Sequence, residues 1–353
     1  GGDGKDFPEY VEWLAKKGLV HKMKPWTETT RMVLPPENHI GVLDLPNDAT
    51  VPYFLVDNTI EMIDDFKERD KPFFISLNFW GPHGPCFATQ EFVDMYNDVK
   101  IPPWPNYEWD AKGTVGTHQY KLHWDQDELS WEDWEVAVRY YYARTSMIDD
   151  QIGRLYDYLA ETGLLEETVI IFTSDHGETM GSHGGLLDKG WIHFEEVHRI
   201  PMIIRMPDGE SKGETREEYA SLVDMYPTIL DLAGVDESEV TSHGQSLVPL
   251  VKGESVTWRD SIVTEFLGLG GMGHCMKTIR VGDLKYGYNL TYRGELYDLD
   301  QDPHEMNNLI DDPAYAETIE EMKDRLVQWM TDTQDPALSL FEWHRGKRPD
   351  NLK

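Results

Sequence analysis

Residues 168–178 decide the fold of this chain, and they read TVIIFTSDHGE. The β-branched and apolar run at residues 168–173 predicts a central strand that is buried on both faces. A stripe of apolar residues at helical spacing covers residues 136–159, ends near Gly163 and leads directly into this strand. Because a helix followed by a buried strand is half of a βαβ unit, the sequence predicts an α/β domain with a largely parallel sheet.

Further helices and strands are predicted on both sides of this unit. Apolar residues at helical spacing predict a helix over residues 56–66, and the apolar run at 73–79 that follows it predicts a buried strand. After the central strand, residues 201–206 predict another strand and residues 222–232 another helix. We therefore predict that the α/β domain covers residues 1–253.

The pattern changes from about Glu254 onward. Short strands and one acidic helix are predicted there, at residues 261–266, 276–281, 284–289 and 315–331. Strands at close spacing followed by a single helix are typical of an α+β unit. Residues 254–353 are therefore predicted to form a smaller α+β subdomain.

The chain is strongly acidic, because 65 acidic and 32 basic residues give it a net charge of -33. A charge of this sign argues against a nucleic-acid backbone or an anionic membrane surface as a partner. No apolar run approaches the roughly 18 residues that a membrane-spanning helix needs. An anionic substrate would need local cations or a metal ion at its binding site. The two cysteines, Cys86 and Cys275, are too few for disulfides to organise the fold.

Metal-binding side chains directly follow the central strand. In an open α/β sheet, ligands gather at the carboxyl ends of the strands, and Asp175 and His176 come just after Thr173. Asp175 offers a hard oxygen ligand and His176 a nitrogen ligand, while Gly177 permits a tight turn that would let both face one ion. A helix N-cap beside a surface histidine is the alternative. The position after a buried strand favours metal binding.

Three more candidates lie on glycine-rich turns. His183 and Lys189 fall in residues 181–190, which read GSHGGLLDKG, and Lys189 is a cation where an anionic ester would need its charge neutralised. His83 lies in residues 81–85, which read GPHGP. This sequence predicts a rigid turn that would fix the position of the imidazole, which a proton donor to a leaving oxygen requires. The alternatives are a solvated lysine and a histidine packed in a turn.

Together these stretches resemble the type I sulfatases, a branch of the alkaline phosphatase superfamily. The resemblance runs from about Val51 to the end of the chain, and its motifs come in the family's order, at residues 71–85, 173–178, 189–205, 277–286 and 295–309. It implies a three-layer α/β/α sandwich of the alkaline phosphatase type with a smaller C-terminal α+β subdomain. It also implies the hydrolysis of a sulfate ester and an extracellular or periplasmic location.

The resemblance also assigns roles to single residues. Asp175 and His176 would bind a divalent metal, usually Ca²⁺ in sulfatases, with Mg²⁺ and Mn²⁺ as alternatives, and Asp175 would help to deprotonate the nucleophile. Lys189 would hold the sulfate and steady the leaving oxygen, His83 would be the general acid, and His183 is a further candidate substrate contact. Asp-His at the metal position is more frequent in relatives that cleave phosphonate or choline esters, so the identity of the ester stays open.

The chain departs from the family at its nucleophile. Members carry two metal-binding acids on their first strand, a Cys-x-Pro-x-Arg segment whose Cys or Ser becomes formylglycine, and a later Lys-x-x-His, and this sequence has none of them. We expect these parts on a segment that precedes Gly1. The substrate would be an anionic ester, with a sulfated saccharide favoured. Two alternatives stay open: a phosphonate monoester or phosphodiester hydrolase, and a non-catalytic homologue that binds sulfated glycans through the aromatic loop at residues 101–134.

Overall fold

A computed structural model of the chain describes residues 8–20, 40–69, 71–109, 129–189, 192–207, 209, 213–235, 241–269, 272–290 and 292–346. The chain divides into two compact units. Unit 1 consists of Gly1–Tyr107, Lys121–Thr168 and Met180–Leu187, and unit 2 consists of Glu108–Tyr120, Val169–Thr179 and Asp188–Lys353. The boundary after residue 253 stays a prediction.

Unit 1 is mainly helical. Its described residues form the helices α1 (Pro8–Lys16), α2 (Val51–Lys67), α3 (Gln90–Asp94), α4 (Trp131–Glu161) and α5 (Ser182–Gly185), the strands β1 (Ile40–Leu43) and β2 (Cys86–Thr89), and short 3₁₀ helices at Asn47–Ala49 and Leu164–Glu167. The two strands pair in parallel. Helices α2 and α4 confirm the helices predicted over residues 56–66 and 136–159.

Helix α4 begins and ends where its sequence signals predict. At its start, Ser130 and Asp133 form a capping box, in which each side chain accepts a hydrogen bond from the backbone N–H of the other residue. After its end, Gly163 adopts a left-handed φ of 75°, which a glycine tolerates without steric cost. Local capping therefore fixes the ends of the longest described helix.

The core of unit 1 packs against α4. Trp134 and Val138 on this helix are buried together with Cys86 of β2 and Ile101, and each large apolar side chain buried in this way stabilises the fold by about 1.5–3 kcal/mol. The buried Arg144, also on α4, donates from Nη1 to the carbonyl oxygen of Phe87 at 3.0 Å. Helix α4 thereby holds the segment that carries His83.

The predicted strand at residues 73–79 is wrong. The segment is extended and alternates in exposure, with Phe74 67% exposed, but it forms no ladder with any strand of the described chain. A strand exists only where a neighbour shares its backbone hydrogen bonds, and an apolar run cannot supply that neighbour. The apolar run therefore predicts the extended conformation correctly and the sheet pairing incorrectly.

The aromatic segment at residues 101–134 is described only at its ends, since residues 110–128 lie outside the described part of the chain. The indole Nε1 of Trp104 donates to the carbonyl oxygen of Met180 at 2.8 Å, and that of Trp131 donates to the carbonyl oxygen of Ile101 at 2.8 Å. Their rings meet edge to face at 5.4 Å. These two tryptophans therefore pack within unit 1, and each indole N–H has a hydrogen-bond partner, as is usual for buried tryptophans.

Unit 2 contains most of the described sheet. Its helices are α6 (Glu195–His198), α7 (Met225–Leu232), α8 (Val248–Val251), α9 (Ala316–Asp332) and α10 (Leu338–His344), and its strands are β3 (Ile170–Thr173), β4 (Met202–Arg205), β5 (Ser261–Leu269), β6 (Met272–Val281), β7 (Leu284–Asn289) and β8 (Glu295–Asp298). Short 3₁₀ helices lie at Leu222–Asp224 and Pro313–Tyr315. Strands β5 to β8 form an antiparallel sheet in sequence order.

Strands β5, β6 and β7 and helix α9 confirm the C-terminal strands and helix predicted from the sequence, and β8 adds a fourth strand to the sheet. Helix α9 buries Leu326 and Met330 in one cluster with Ile279 of β6 and Leu296 of β8. Phe341 of α10 closes the same cluster. The apolar stripe of α9 thus packs with the apolar face of the sheet, while its acidic face is left to water.

Strands β3 and β4 confirm two predicted strands but not their predicted environment. They pair antiparallel, so the prediction of a largely parallel sheet is wrong for them. Parallel neighbours need a crossover, usually a helix, whereas the described residues between β3 and β4, 174–189 and 192–201, form loops and two helices of four residues each. The prediction of burial on both faces is also wrong, because Phe172 is 41% exposed and Ile203, its partner across the ladder, is 62% exposed.

Among the helices of the described ranges, none combines the length and the apolar character that crossing a membrane requires. The longest of them, α4, carries charged residues along its length. This agrees with the sequence, in which no sufficiently long apolar run occurs.

Candidate metal and ester site

Asp175 and His176 lie in the loop that leaves β3. Asp175 Oδ2 is 3.4 Å from His176 Nε2, and Asp175 Oδ1 accepts a hydrogen bond from the backbone N–H of His176 at 3.0 Å. Two ligand atoms that each lie about 2.4 Å from a cation, at a right angle, are about 3.4 Å apart. The two side-chain atoms are therefore spaced as ligands of one divalent ion, and the Asp175 side chain is 80% exposed to solvent.

The ring of His176 is oriented by its own backbone neighbour. Its Nδ1 lies 2.8 Å from the carbonyl oxygen of Gly177. Because a carbonyl oxygen can only accept, Nδ1 carries the proton of the neutral ring and Nε2 carries the lone pair. This tautomer directs the unprotonated Nε2 toward Asp175, as outer hydrogen bonds do in many histidine–metal sites.

Gly177 lets this loop approach α6 closely. Its N–H donates to the carbonyl oxygen of Val197 at 2.9 Å, and the next N–H, of Glu178, donates to that of Glu196 at 3.0 Å. A Cβ on Gly177 would lie 1.8 Å from the Glu196 oxygen. Gly177 does not have a positive φ, so the reason for this glycine is close contact between two backbone segments, and not the tight turn that the sequence predicted.

Glu178 connects the loop to the residue before Lys189. Its Oε1 accepts from the backbone N–H of Thr179 at 3.0 Å and from that of Asp188. The Thr179 hydroxyl also donates to the carbonyl oxygen of Asp188 at 3.0 Å. This role of Glu178 was not predicted from the sequence, where only its position two residues after His176 marks it.

Lys189 is thereby tethered to the loop that holds Asp175 and His176. Its Nζ lies 3.1 Å from Asp188 Oδ1, and both side chains are about four-fifths buried. A lysine held in this way loses less freedom when it binds an anion than a fully solvated one would. Asp175, His176 and Lys189 thus belong to one hydrogen-bonded loop system of unit 2.

His83 lies in unit 1, in the turn between residues 81 and 85. Its Nδ1 is 2.8 Å from the carbonyl oxygen of Gly84, and its ring centroid is 5.0 Å from that of Trp80. A Cβ on Gly81 would lie 2.6 Å from Arg144 Nε, so the turn is packed against α4. The carbonyl fixes the proton on Nδ1 of the neutral ring, and Nε2 is the position through which the ring can exchange a proton.

His183, also in unit 1, is almost completely buried. It is 1% exposed and has a left-handed backbone, with φ 49° and ψ 51°. The neighbouring Gly181 has a φ of 89°, and a Cβ there would lie 2.8 Å from Cδ2 of the Trp134 ring. The role of His183 as a substrate contact stays a prediction.

Neither cysteine has the environment of a nucleophile. Cys86 is buried, and its Sγ donates to the carbonyl oxygen of Pro82 at 3.4 Å. Cys275 is buried in β6, and burial raises the pKa of its thiol. Reactive cysteines are accessible and have a lowered pKa, so the described chain gives neither thiol this role.

Comparisons with known proteins identify relatives over most of the chain. A family model described as sulfatase matches residues 20–235, and one described as the C-terminal part of N-sulphoglucosamine sulphohydrolase matches residues 181–332. An arylsulfatase of Clostridium perfringens is 32% identical over 275 residues, which are 76% of this chain and 56% of that protein. An N-acetylglucosamine-6-O-sulfatase of Bacteroides thetaiotaomicron is 36% identical over 215 residues, or 58% of this chain and 37% of that protein.

A solved structure extends the likeness to the fold. The crystal structure of a phosphonate monoester hydrolase of Agrobacterium radiobacter matches with a TM-score of 0.79 and 25% identity, over 92% of this chain and 69% of that one. The chain spans about half the length of the curated relatives it matches. The matched region includes both units described above.

Proposed function

Because this chain belongs to the sulfatase family, within the alkaline phosphatase superfamily, we propose that the protein containing it hydrolyses a sulfate ester with the help of a divalent metal. Its fold is the alkaline phosphatase-like α/β fold that the sequence predicted. The two curated relatives reported above are named sulfatases, which are hydrolases of sulfate esters.

The observation that carries this proposal is the Asp175–His176 pair. Its two ligand atoms are 3.4 Å apart, His176 presents Nε2, and the pair follows β3 directly. Sulfatases generally use a divalent metal, and we propose Ca²⁺ here, with Mg²⁺ or Mn²⁺ as alternatives. Bound at this pair, the metal would supply positive charge that polarises an ester oxygen.

Three residues of the chain would act on the ester itself. We propose that Lys189 holds the anionic group and that the imidazolium form of His83, with a proton on each ring nitrogen, protonates the leaving oxygen from Nε2. His183, whose side chain is buried, is proposed as a further substrate contact. On a chain with a net charge of -33, Lys189 would give an anionic substrate a local positive charge, which Asp188 at 3.1 Å balances in part.

The nucleophile is proposed to lie on a polypeptide segment outside these 353 residues. The sequence has no Cys-x-Pro-x-Arg or Ser-x-Pro-x-Arg segment, and both of its cysteines are buried. A formylglycine on such a segment would complete the site, as the resemblance to type I sulfatases implies. The substrate class that we favour is a sulfated saccharide, which is supported by the likeness to an N-acetylglucosamine-6-O-sulfatase.

A second candidate function is the hydrolysis of phosphonate monoesters or phosphodiesters. It is favoured by histidine at position 176 and by the likeness to a phosphonate monoester hydrolase. The deciding experiment compares kcat/KM of the complete protein on a sulfate monoester and a phosphonate monoester with the same aryl leaving group. A higher value on the sulfate supports the sulfatase proposal, and a higher value on the phosphonate supports the second. Turnover of neither, together with binding of a sulfated glycan, would support a non-catalytic role.

A further inference from the structure

The loop that carries Asp175 and His176 is held by a helix that is too short to hold its own position. The N–H groups of Gly177 and Glu178 donate to carbonyl oxygens of α6, at 2.9 Å and 3.0 Å. Helix α6 contains four residues, and helices shorter than about 12 residues are not stable without tertiary contacts. The position of the loop therefore depends on what anchors α6.

The anchor is Glu195, the first residue of α6. Its Oε1 accepts from Lys285 Nζ at 3.0 Å and its Oε2 from Arg280 Nη1 at 2.7 Å. Its backbone N–H donates to Glu305 Oε2 at 2.6 Å. One residue thus binds two cations on strands β6 and β7 and a carboxylate on the segment after β8.

Burial makes this anchor rigid. The side chains of Lys285 and Glu305 are 2% and 1% exposed, and Lys285 Nζ lies 2.5 Å from Glu305 Oε1. Water does not screen charges at such positions as it does at the surface, so the loss of one partner leaves another charge buried and poorly paired. The network joins the four-stranded sheet to α6 with fixed geometry.

We propose that Glu195 is a positioning residue for the metal site: it fixes α6 on the four-stranded sheet, and α6 in turn fixes the backbone that presents Asp175 and His176. The inference rests on the proposed metal site for its consequence in metal binding. The contacts that connect Glu195 through α6 to Gly177 do not depend on whether a metal binds. The sheet thus positions Glu195, Glu195 positions α6, and α6 positions the loop that carries Asp175 and His176.

The test compares Glu195→Gln with Glu320→Gln. Glutamine keeps the size of Glu195 but places an NH₂ donor opposite a cation, which loosens the contact. Glu320 on α9 is the matched control, because it also pairs with one lysine and one arginine, Lys323 at 2.7 Å and Arg345 at 3.0 Å. Backbone amide exchange over residues 174–179 is measured without metal, and the Ca²⁺ affinity of the complete protein is measured by calorimetry.

For Glu195→Gln we expect amide exchange in residues 174–179 to be on the order of tenfold faster and Ca²⁺ affinity to fall about tenfold, the scale seen when outer-shell partners are lost. Glu320→Gln should change neither. Exchange over residues 174–179 that is the same in Glu195→Gln as in the unmodified protein would overturn the inference.

Two further measurements cover the cases in which Glu195→Gln does not fold or Ca²⁺ does not bind. If Glu195→Gln does not fold, Arg280→Gln, which removes a half-buried partner of Glu195 and leaves Lys285 in place, is measured in its stead, with the same direction expected. If the unmodified protein binds Ca²⁺ no better than Asp175→Asn, the proposed metal site is contradicted, and the exchange rates still decide the positioning role.

Discussion

The backbone N–H of Gly177 donates to the carbonyl oxygen of Val197 at 2.9 Å, and a Cβ on this glycine would lie 1.8 Å from the carbonyl oxygen of Glu196. No rotation of a methyl group relieves an overlap with backbone of this size. The loop that carries Asp175 and His176 and helix α6 therefore fit together only when residue 177 has no side chain.

Gly177→Ala is expected to destabilise the protein by about 1–3 kcal/mol, the usual cost of forcing an extra carbon into a packed contact. Urea unfolding of both proteins measures the difference. Gly153→Ala is the control, because Gly153 lies inside α4 with no atom within 4 Å of the added Cβ, and alanine should raise stability there by up to about 1 kcal/mol. Equal effects of the two substitutions would contradict the close contact.

Glu295 gives the stability a dependence on pH. Its side chain is buried in β8 and accepts from the Tyr297 hydroxyl at 3.0 Å, and burial raises its pKa to about 7. In the unfolded chain the same carboxyl has a pKa near 4.5, so between these values the folded state binds the proton and the unfolded state does not. Stability therefore falls as the pH rises from about 4.5 to 7.

Glu295→Gln should remove that part of the pH dependence. The two pKa values differ by an amount equivalent to roughly 3 kcal/mol, and this sets the order of magnitude of the gain expected at pH 8 relative to pH 5. The free energy of unfolding of both proteins is measured at the two pH values. Glu317→Gln, an exposed substitution of the same charge on α9, is the control. Parallel curves for Glu295→Gln and the unmodified protein would contradict the prediction.

His83→Ala in the complete protein is expected to slow esters with poor leaving groups by about 10²–10⁴-fold, which is the usual contribution of a general acid. Aryl esters with good leaving groups should lose much less, because their leaving oxygen needs no proton. The measurement is kcat on an alkyl and an aryl sulfate for both proteins. Equal losses on both substrates would exclude the general-acid role.

Lys189→Ala is expected to weaken the binding of inorganic sulfate as a competitive inhibitor by about tenfold or more, corresponding to the loss of one charge-assisted contact. The inhibition constant is measured at fixed ionic strength, since salt screens the same attraction. Lys252→Ala removes an equal charge from an exposed position and should leave the constant unchanged. A similar change in both variants would assign the effect to net charge instead of Lys189.

The parts of this fold that the sequence predicted correctly depend on neighbours along the chain. Helix α4 is specified by its capping box and by Gly163, and the strands β5, β6 and β7 by short runs at close spacing. The loop at Asp175 and His176 is specified by its position after the apolar strand β3. Each of these signals is complete within a few residues.

The parts that the sequence did not predict depend on residues far apart in the chain. The run at residues 73–79 has the composition of a strand, but whether it pairs is decided by a neighbour elsewhere. The anchor of α6 joins Glu195 to Lys285 and Glu305, about 90 and 110 residues further on. No local pattern marks such a contact, so the support of the candidate site became visible only in the structure.

The most direct test of the proposed site is a calorimetric titration of the complete protein with Ca²⁺, comparing the unmodified protein with Asp175→Asn. The complete protein is needed because two further metal-binding acids are expected on a segment outside these 353 residues. Asp149→Asn, an equal change of charge on the exposed face of α4, controls for the diffuse attraction of an acidic surface. We expect one site with a dissociation constant at or below about 1 mM that Asp175→Asn weakens at least about tenfold and Asp149→Asn leaves intact. Identical titrations for the unmodified protein and Asp175→Asn would contradict a metal site at Asp175 and His176.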